Sequence, residues 1–286
     1  DYSKLPSLAS SRYQKAFLRN DEVGYGEYKT ALESGEAKVN AGAVYPYDII
    51  KSMNYGGDKV VNNAQWESLP NFMEERVLPV VDVSGSMSCS AGGNDNLTCM
   101  DVAISLGMYI SERNEGNFKD AFVTFSSNPQ LQYLKGTLEQ RLNQLRRAEW
   151  GMNTDINAVF ELILNQAKMY NIPQDKMPTK ILILSDMQFN SATNSRWGNQ
   201  SDWNPSAQDM IESKYEDAGY NKPDVVYWNL NASMGNFPVE FDKMGTAMVS
   251  GFSPSILKSL LSGKSMTPES IFMETVGPER YSLITI

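Results

Sequence analysis

Residues 77–87 read VLPVVDVSGSM. Val77 to Val81 is a short run of five apolar residues, Pro79 among them. It ends on Asp82 and a small-residue turn, Ser84-Gly85-Ser86. A short apolar run bounded by turn residues fits a strand buried on both faces of a parallel sheet. In open α/β sheets, ligands sit beyond the carboxyl ends of such strands. Asp82, Ser84 and Ser86 are therefore expected at the rim of a sheet. One carboxylate and two hydroxyls are all oxygen donors, a set that suits a hard divalent cation such as Mg2+.

The rest of the chain supplies the sheet and its cover. Residues 119–126 and 179–185 read as buried strands, and 131–134 as a short edge strand. Residues 223–230 and 239–250 complete the strand pattern. Helices are predicted over 98–112, 137–148, 154–170, 206–218 and 254–261 from apolar residues at helical spacing. Strands alternating with helices imply βαβ units, so the predicted fold class is α/β: a doubly wound, mostly parallel sheet flanked by helices. Residues 1–76 read as helical: one helix over about 8–20, one from Glu27 stopped by Gly35, a short one after Pro46 and one over 60–72. The domain expectation is thus a helical segment over 1–76 and an α/β domain over 77–286.

Two further stretches carry chemistry. Trp150-Gly151-Met152-Asn153-Thr154-Asp155 opens a helix, where Thr154 or Asp155 can serve as an N-cap. Asp186 directly follows the strand Lys180-Ile181-Leu182-Ile183-Leu184-Ser185. With the D-x-S-x-S of residues 82–86, these pieces resemble the metal-ion-dependent adhesion site of von Willebrand factor A domains. The resemblance implies that Asp82, Ser84, Ser86, Thr154 and Asp186 hold Mg2+ (or Mn2+). It also implies that a protein partner donates a carboxylate to the open metal position. If the two aspartates lie about 5 Å apart, their repulsion at an effective dielectric near 20 is about 3 kcal/mol, which a cation would relieve. The loop after Asp186 carries Trp197 and Trp203, expected to border the metal face and contact the partner.

The N-terminal run SKLPSLASSRYQKAFLRND, followed by KVNAGAVYPY, resembles the segment before the von Willebrand A domain in TROVE/Ro-autoantigen-like proteins, in particular an uncharacterised branch of phages, plants and fungi. It implies that residues 1–76 end a helical module and that more helical sequence precedes them. Small RNAs are bound by such proteins, which makes RNA binding the alternative function. A structural protein, for instance of a virion, with a vestigial metal site is a third.

Composition narrows the chemistry. Histidine is absent, which removes Ser-His-Asp and Cys-His catalysis and His-ligated zinc. The net charge of −9 gives no overall pull toward nucleic acid. Only two cysteines occur, Cys89 and Cys99, flanking a Gly-rich insert, and free thiols are expected of them. A haloacid-dehalogenase-like phosphatase would need an acidic residue at position 84, where Ser stands. Ser262-Gly263-Lys264-Ser265 lacks the upstream glycine and strand of a phosphate loop. No apolar run is long enough for a membrane helix. The expectation is a non-catalytic, metal-dependent binding protein of the cytoplasm or a virus particle.

Overall fold

The computed structural model describes residues 1–91, 94–124, 126, 128–148, 156–186, 205–231, 246–251, 254–261, 272–273 and 276–277. The chain divides into two compact units. One holds residues 1–71 with 137–139, the other residues 72–136 with 140–286.

The first unit is helical: α1 (Ser7–Arg12), α2 (Gln14–Asn20), α3 (Glu22–Glu33), α4 (Pro46–Asn54) and α5 (Lys59–Glu67). The single helix predicted over 8–20 is two, parted at Tyr13. The reason is polar and buried. The Gln14 side chain donates to Asn62 Oδ1 at 3.0 Å and accepts the Asp58 N–H at 2.6 Å. Ser7, Ser10 and Ser11 are also buried, so no apolar stripe marks this packing. Asp58 caps α5 by accepting from Val60 and Val61 and pairs with Lys29 at 3.0 Å. A second cluster gathers the rings of Tyr2, Phe17, Tyr25 and Tyr28, with neighbouring centroids 5.1–6.2 Å apart.

The second unit is built on a sheet. Its elements are β1 (Val77–Val81), β2 (Ser90–Ala91), β3 (Asn94–Thr98), α6 (Cys99–Arg113), β4 (Ala121–Thr124), β5 (Leu131–Tyr133), α7 (Leu138–Arg146), α8 (Ile156–Met169), β6 (Lys180–Ser185), α9 (Pro205–Asp217), β7 (Asp224–Asn229), β8 (Thr246–Ser250) and α10 (Pro254–Leu261). The order of the six-stranded sheet is β5-β4-β1-β6-β7-β8. All neighbours are parallel except β4 and β5, which form an antiparallel edge pair. The predicted fold class holds: a mostly parallel sheet flanked by helices.

Every residue of β1 is buried. Alternation sends Leu78 and Val80 into one layer with Val159, Phe160 and Ile163 of α8 and Tyr215 of α9. The other face meets α6 closely. A Cβ on Gly107 would lie 2.5 Å from Val81 Cγ2, so the helix backbone rests on the strand there. Pro79 has no N–H to give, and the β1–β4 register starts one residue later, at Val80. The carbonyl of Val77 is served instead by Asn114 Nδ2, 3.0 Å away, which also bonds the Phe118 carbonyl. The C-terminal cap of α6 is thereby tied to the start of β1.

The edge is also closed by a side chain. Gln144 of α7 accepts the Lys135 N–H at 2.9 Å and donates to the Tyr133 carbonyl at 3.3 Å. Its carboxamide takes the place of a neighbouring strand for one rung of β5. The residues between Cys89 and Cys99 contain the antiparallel hairpin β2–β3. Among the described residues, no helix is long and apolar enough to cross a membrane.

The close approach at Gly107 yields a signed prediction. In an isolated helix, Gly→Ala gains about 1 kcal/mol. Here the added methyl meets a buried valine on a central strand, and overpacking costs about 1–3 kcal/mol. Gly107→Ala should therefore lower Tm by a few degrees in a thermal melt. In a double-mutant cycle, Val81→Ala should cost less in the Gly107→Ala background than in the wild type. Additive effects would contradict the contact.

Candidate metal centre

The site grows out of the carboxyl end of β1. The ladder runs one residue beyond the strand, with the Asp82 N–H on the Leu184 carbonyl at 3.0 Å. This places Asp82 beside Ser185, the last residue of β6. Asp82 is 3% exposed, and both its oxygens are engaged. Oδ1 accepts the Ser84 N–H at 2.8 Å, a local turn typical of an aspartate leaving a strand. Oδ2 accepts the Ser185 hydroxyl at 2.7 Å.

A short 3-10 turn, Gly85–Ser88, follows. It sets the hydroxyls of Ser84 and Ser86 3.0 Å apart. Met87 points inward, is fully buried, and its sulfur accepts the Asp186 N–H at 3.1 Å. The turn after β1 is thus fastened to the residue after β6. Asp186 is itself fully buried. The four described candidates, Asp82, Ser84, Ser86 and Asp186, therefore sit around the carboxyl ends of two adjacent central strands. Thr154, Trp197 and Trp203 lie outside the described residues.

Electrostatics at this rim are unfavourable to charge. Burial, above all, pushes the Asp82 carboxyl above its ordinary value of 3.8, and the nearby Asp186 adds to the rise. The hydrogen bonds from Ser84 and Ser185 pull the other way without cancelling it. The row of buried polar residues continues along the rim, with Thr124 ending β4 on one side and Asn229 and Asn231 on the other. Below the rim, residues 181–184 of β6 are apolar and buried. A buried polar row is costly unless it is hydrogen-bonded or used. Ser185 was not among the sequence candidates. Its role depends on the β1–β6 register, which sets it beside Asp82.

Among the described residues, no three Asp, Glu, His or Cys side chains gather in a way that could hold a metal ion. The donor set is instead two carboxylates and two hydroxyls. These are all oxygens, acceptors when the carboxylates are ionised. The set fits a hard cation.

A second concave feature lies between β5 and α7. It is a cleft of about 740 Å³, lined by Gln130, Gln132, Gln140, Asn143, Gln144, Arg147 and Ala148. The neighbouring arginines of α7 are engaged elsewhere. Arg141 pairs with Glu112 at 3.0 Å and Asp120 at 3.1 Å, and Arg146 lies 3.8 Å from Asp101.

The chain is 29% identical over 299 residues to an uncharacterised protein of Acanthamoeba polyphaga mimivirus, covering 97% of this chain and 50% of that protein. Among solved structures, the crystal structure of the Ro (RSR) protein of Deinococcus radiodurans is similar, with a TM-score of 0.52 at 17% identity over 90% of this chain and 52% of that one. At that identity the likeness is one of fold. The chain spans about half the length of both relatives. Residues 1–77 match a family described as a domain of unknown function, DUF2828. Residues 76–280, the greater part of the chain, match another domain of unknown function, and the protein belongs to that family, DUF7788.

Proposed function

We propose that the α/β domain is a non-catalytic binding domain that holds Mg2+ (or Mn2+) through Asp82, Ser84, Ser86, Asp186 and Thr154. A carboxylate of a protein partner completes the site, within the cytoplasm or a virus particle. The observation that carries this reading is the pairing of two buried carboxylates with two hydroxyls 3.0 Å apart at adjoining strand ends. Bound there, the cation supplies positive charge against the two aspartates and an electrophilic position for an incoming carboxylate oxygen. Ser185 and the Ser84 N–H orient Asp82 from behind, so the carboxylate need not reorganise to bind. Residues 1–76 form, on this reading, the end of a separate helical module.

RNA binding is the second reading, favoured by the likeness in fold to the Ro protein across 90% of the chain. A chain with net charge −9 gives it little electrostatic help, since such binding draws on neutralised phosphates. Partner capture on the immobilised chain separates the two. Proteins retained with Mg2+, lost in EDTA and indifferent to RNase support the adhesion reading. RNA recovered equally with Mg2+ and with EDTA supports the second.

The raised carboxyl of Asp82 makes two further predictions. A folded value above 3.8 means that ionised Asp82 opposes folding. Its penalty is absent at low pH, grows as pH rises from 3.8 through the folded value, and is complete above it. Asp82→Asn should thus melt higher than wild type at pH 7 in EDTA, and the difference should vanish in acid. Magnesium should reverse the order. A ligand at a hundred times its dissociation constant adds about 2.7 kcal/mol, or about 5–10 °C in Tm for a domain of this size. Wild type should show this shift and Asp82→Asn should not. Equal Mg2+ responses in the two proteins would remove Asp82 from the site.

A further inference from the structure

Cys89 and Cys99 stand opposite each other at the open end of the β2–β3 hairpin. The hairpin pairs Ser90 with Thr98, and the next rung outward is Cys89 with Cys99. The Cys99 N–H bonds the Cys89 carbonyl at 3.0 Å, continuing the ladder. Directly opposed residues of an antiparallel pair have Cα atoms about 4.5–5.5 Å apart, inside the range that a disulfide spans. The two sulfurs are already 3.4 Å apart.

Their surroundings are asymmetric. Cys99, the first residue of α6, is buried, and its thiol donates to the Leu230 carbonyl at 3.4 Å. Cys89 is half-buried, receives Asn231 Nδ2 at 3.5 Å, and its thiol points to the Cys99 sulfur. One thiol is open to a reagent in solution, and the other waits behind it in contact. Two cysteines buried only as small apolar groups need neither the opposed register nor the access.

The position gives the pair leverage. Cys89 closes the turn that carries Ser84 and Ser86, its N–H bonded to the Ser86 carbonyl at 3.1 Å. Cys99 begins the helix that packs on β1.

We propose that Cys89 and Cys99 form a redox modification site, a dithiol that a small-molecule disulfide such as glutathione disulfide converts to an intramolecular disulfide. The Cys89 sulfur, as thiolate, attacks one sulfur of the oxidant. One glutathione thiolate leaves and takes up a proton. Cys99 then loses its proton and attacks the Cys89 sulfur, releasing the second glutathione as a thiol. Two protein thiols are oxidised and one external disulfide is reduced. The new bond staples the hairpin across the first residue of α6 and restrains the turn bearing Ser84 and Ser86. Cation binding is not required for any of these steps.

The test uses the whole chain, incubated with glutathione disulfide, denatured, treated with N-ethylmaleimide and weighed by mass spectrometry. The expected product is a monomer lighter by two hydrogens that takes up no maleimide. It should melt about 5–10 °C above the reduced chain, the gain expected from closing so short a loop in a domain of this size. Cys99→Ser should stop at one glutathione on Cys89, and Cys89→Ser should show no oxidation-dependent rise in Tm. Two maleimide adducts on oxidised wild type, a lasting glutathione adduct, a disulfide-linked dimer, or an oxidised monomer with unchanged Tm would each overturn the proposal. The wild-type mass and melt decide it even if a variant fails to fold.

Discussion

The rim depends on β1 being held from both sides. Its register with β6 runs over all five residues, from Val77 opposite Lys180 to Val81 opposite Leu184, and with β4 over Val80 and Val81. Parallel strands so placed must be apolar on both faces, because helices cover each face. The apolar character has to stop where the strand emerges, and it stops at Asp82. One further ladder bond, from the Asp82 N–H to Leu184, fixes how far the aspartate projects. The partner strand then delivers Ser185 to its carboxylate. A slip of one residue would send Leu78 and Val80 to the wrong face and break this alignment.

Packing and electrostatics pull against each other here. The close contact between Gly107 and Val81 and the buried layer around Phe160 hold the central strands rigid. On that frame the chain carries two buried carboxylates side by side, an arrangement that burial and mutual repulsion both disfavour. Natural sequences depart from local stability rules mainly where function demands it. Rigid support lets the penalty persist, since the Asp82 carboxylate cannot swing into solvent without breaking its bonds to Ser84 and Ser185.

The turn after β1 is also linked to the hairpin. Ser84, Ser86, Met87 and Cys89 follow one another on a single short turn, with successive bonds from Met87 N–H to Ser84 and from Cys89 N–H to Ser86. The backbone at Cys89 is therefore tied directly to the turn that bears the two hydroxyls. At the far edge, Gln144 closes one rung of β5 with a carboxamide, which blunts an edge that would otherwise template pairing with another chain.

Local patterning alone determined the strand and helix alternation, the mostly parallel sheet and the emergence of Asp82 from a buried strand. Period-2 and period-3.6 spacing, and the fully apolar runs Val77–Val81 and Ile181–Leu184, are properties of neighbouring residues. The two helices meeting at Tyr13, the hairpin between Cys89 and Cys99, and the role of Ser185 were decided by tertiary structure. Gln14 breaks the N-terminal helix through partners at Asp58 and Asn62, far along the chain. The hairpin rests on backbone pairing across a Gly-rich insert that carries no apolar alternation. Ser185 meets Asp82 across 103 positions of sequence, and only the register of two parallel strands brings them together. The Gln14 and Ser185 contacts are long-range hydrogen bonds made by polar side chains, which leave no periodic trace from which a partner can be read.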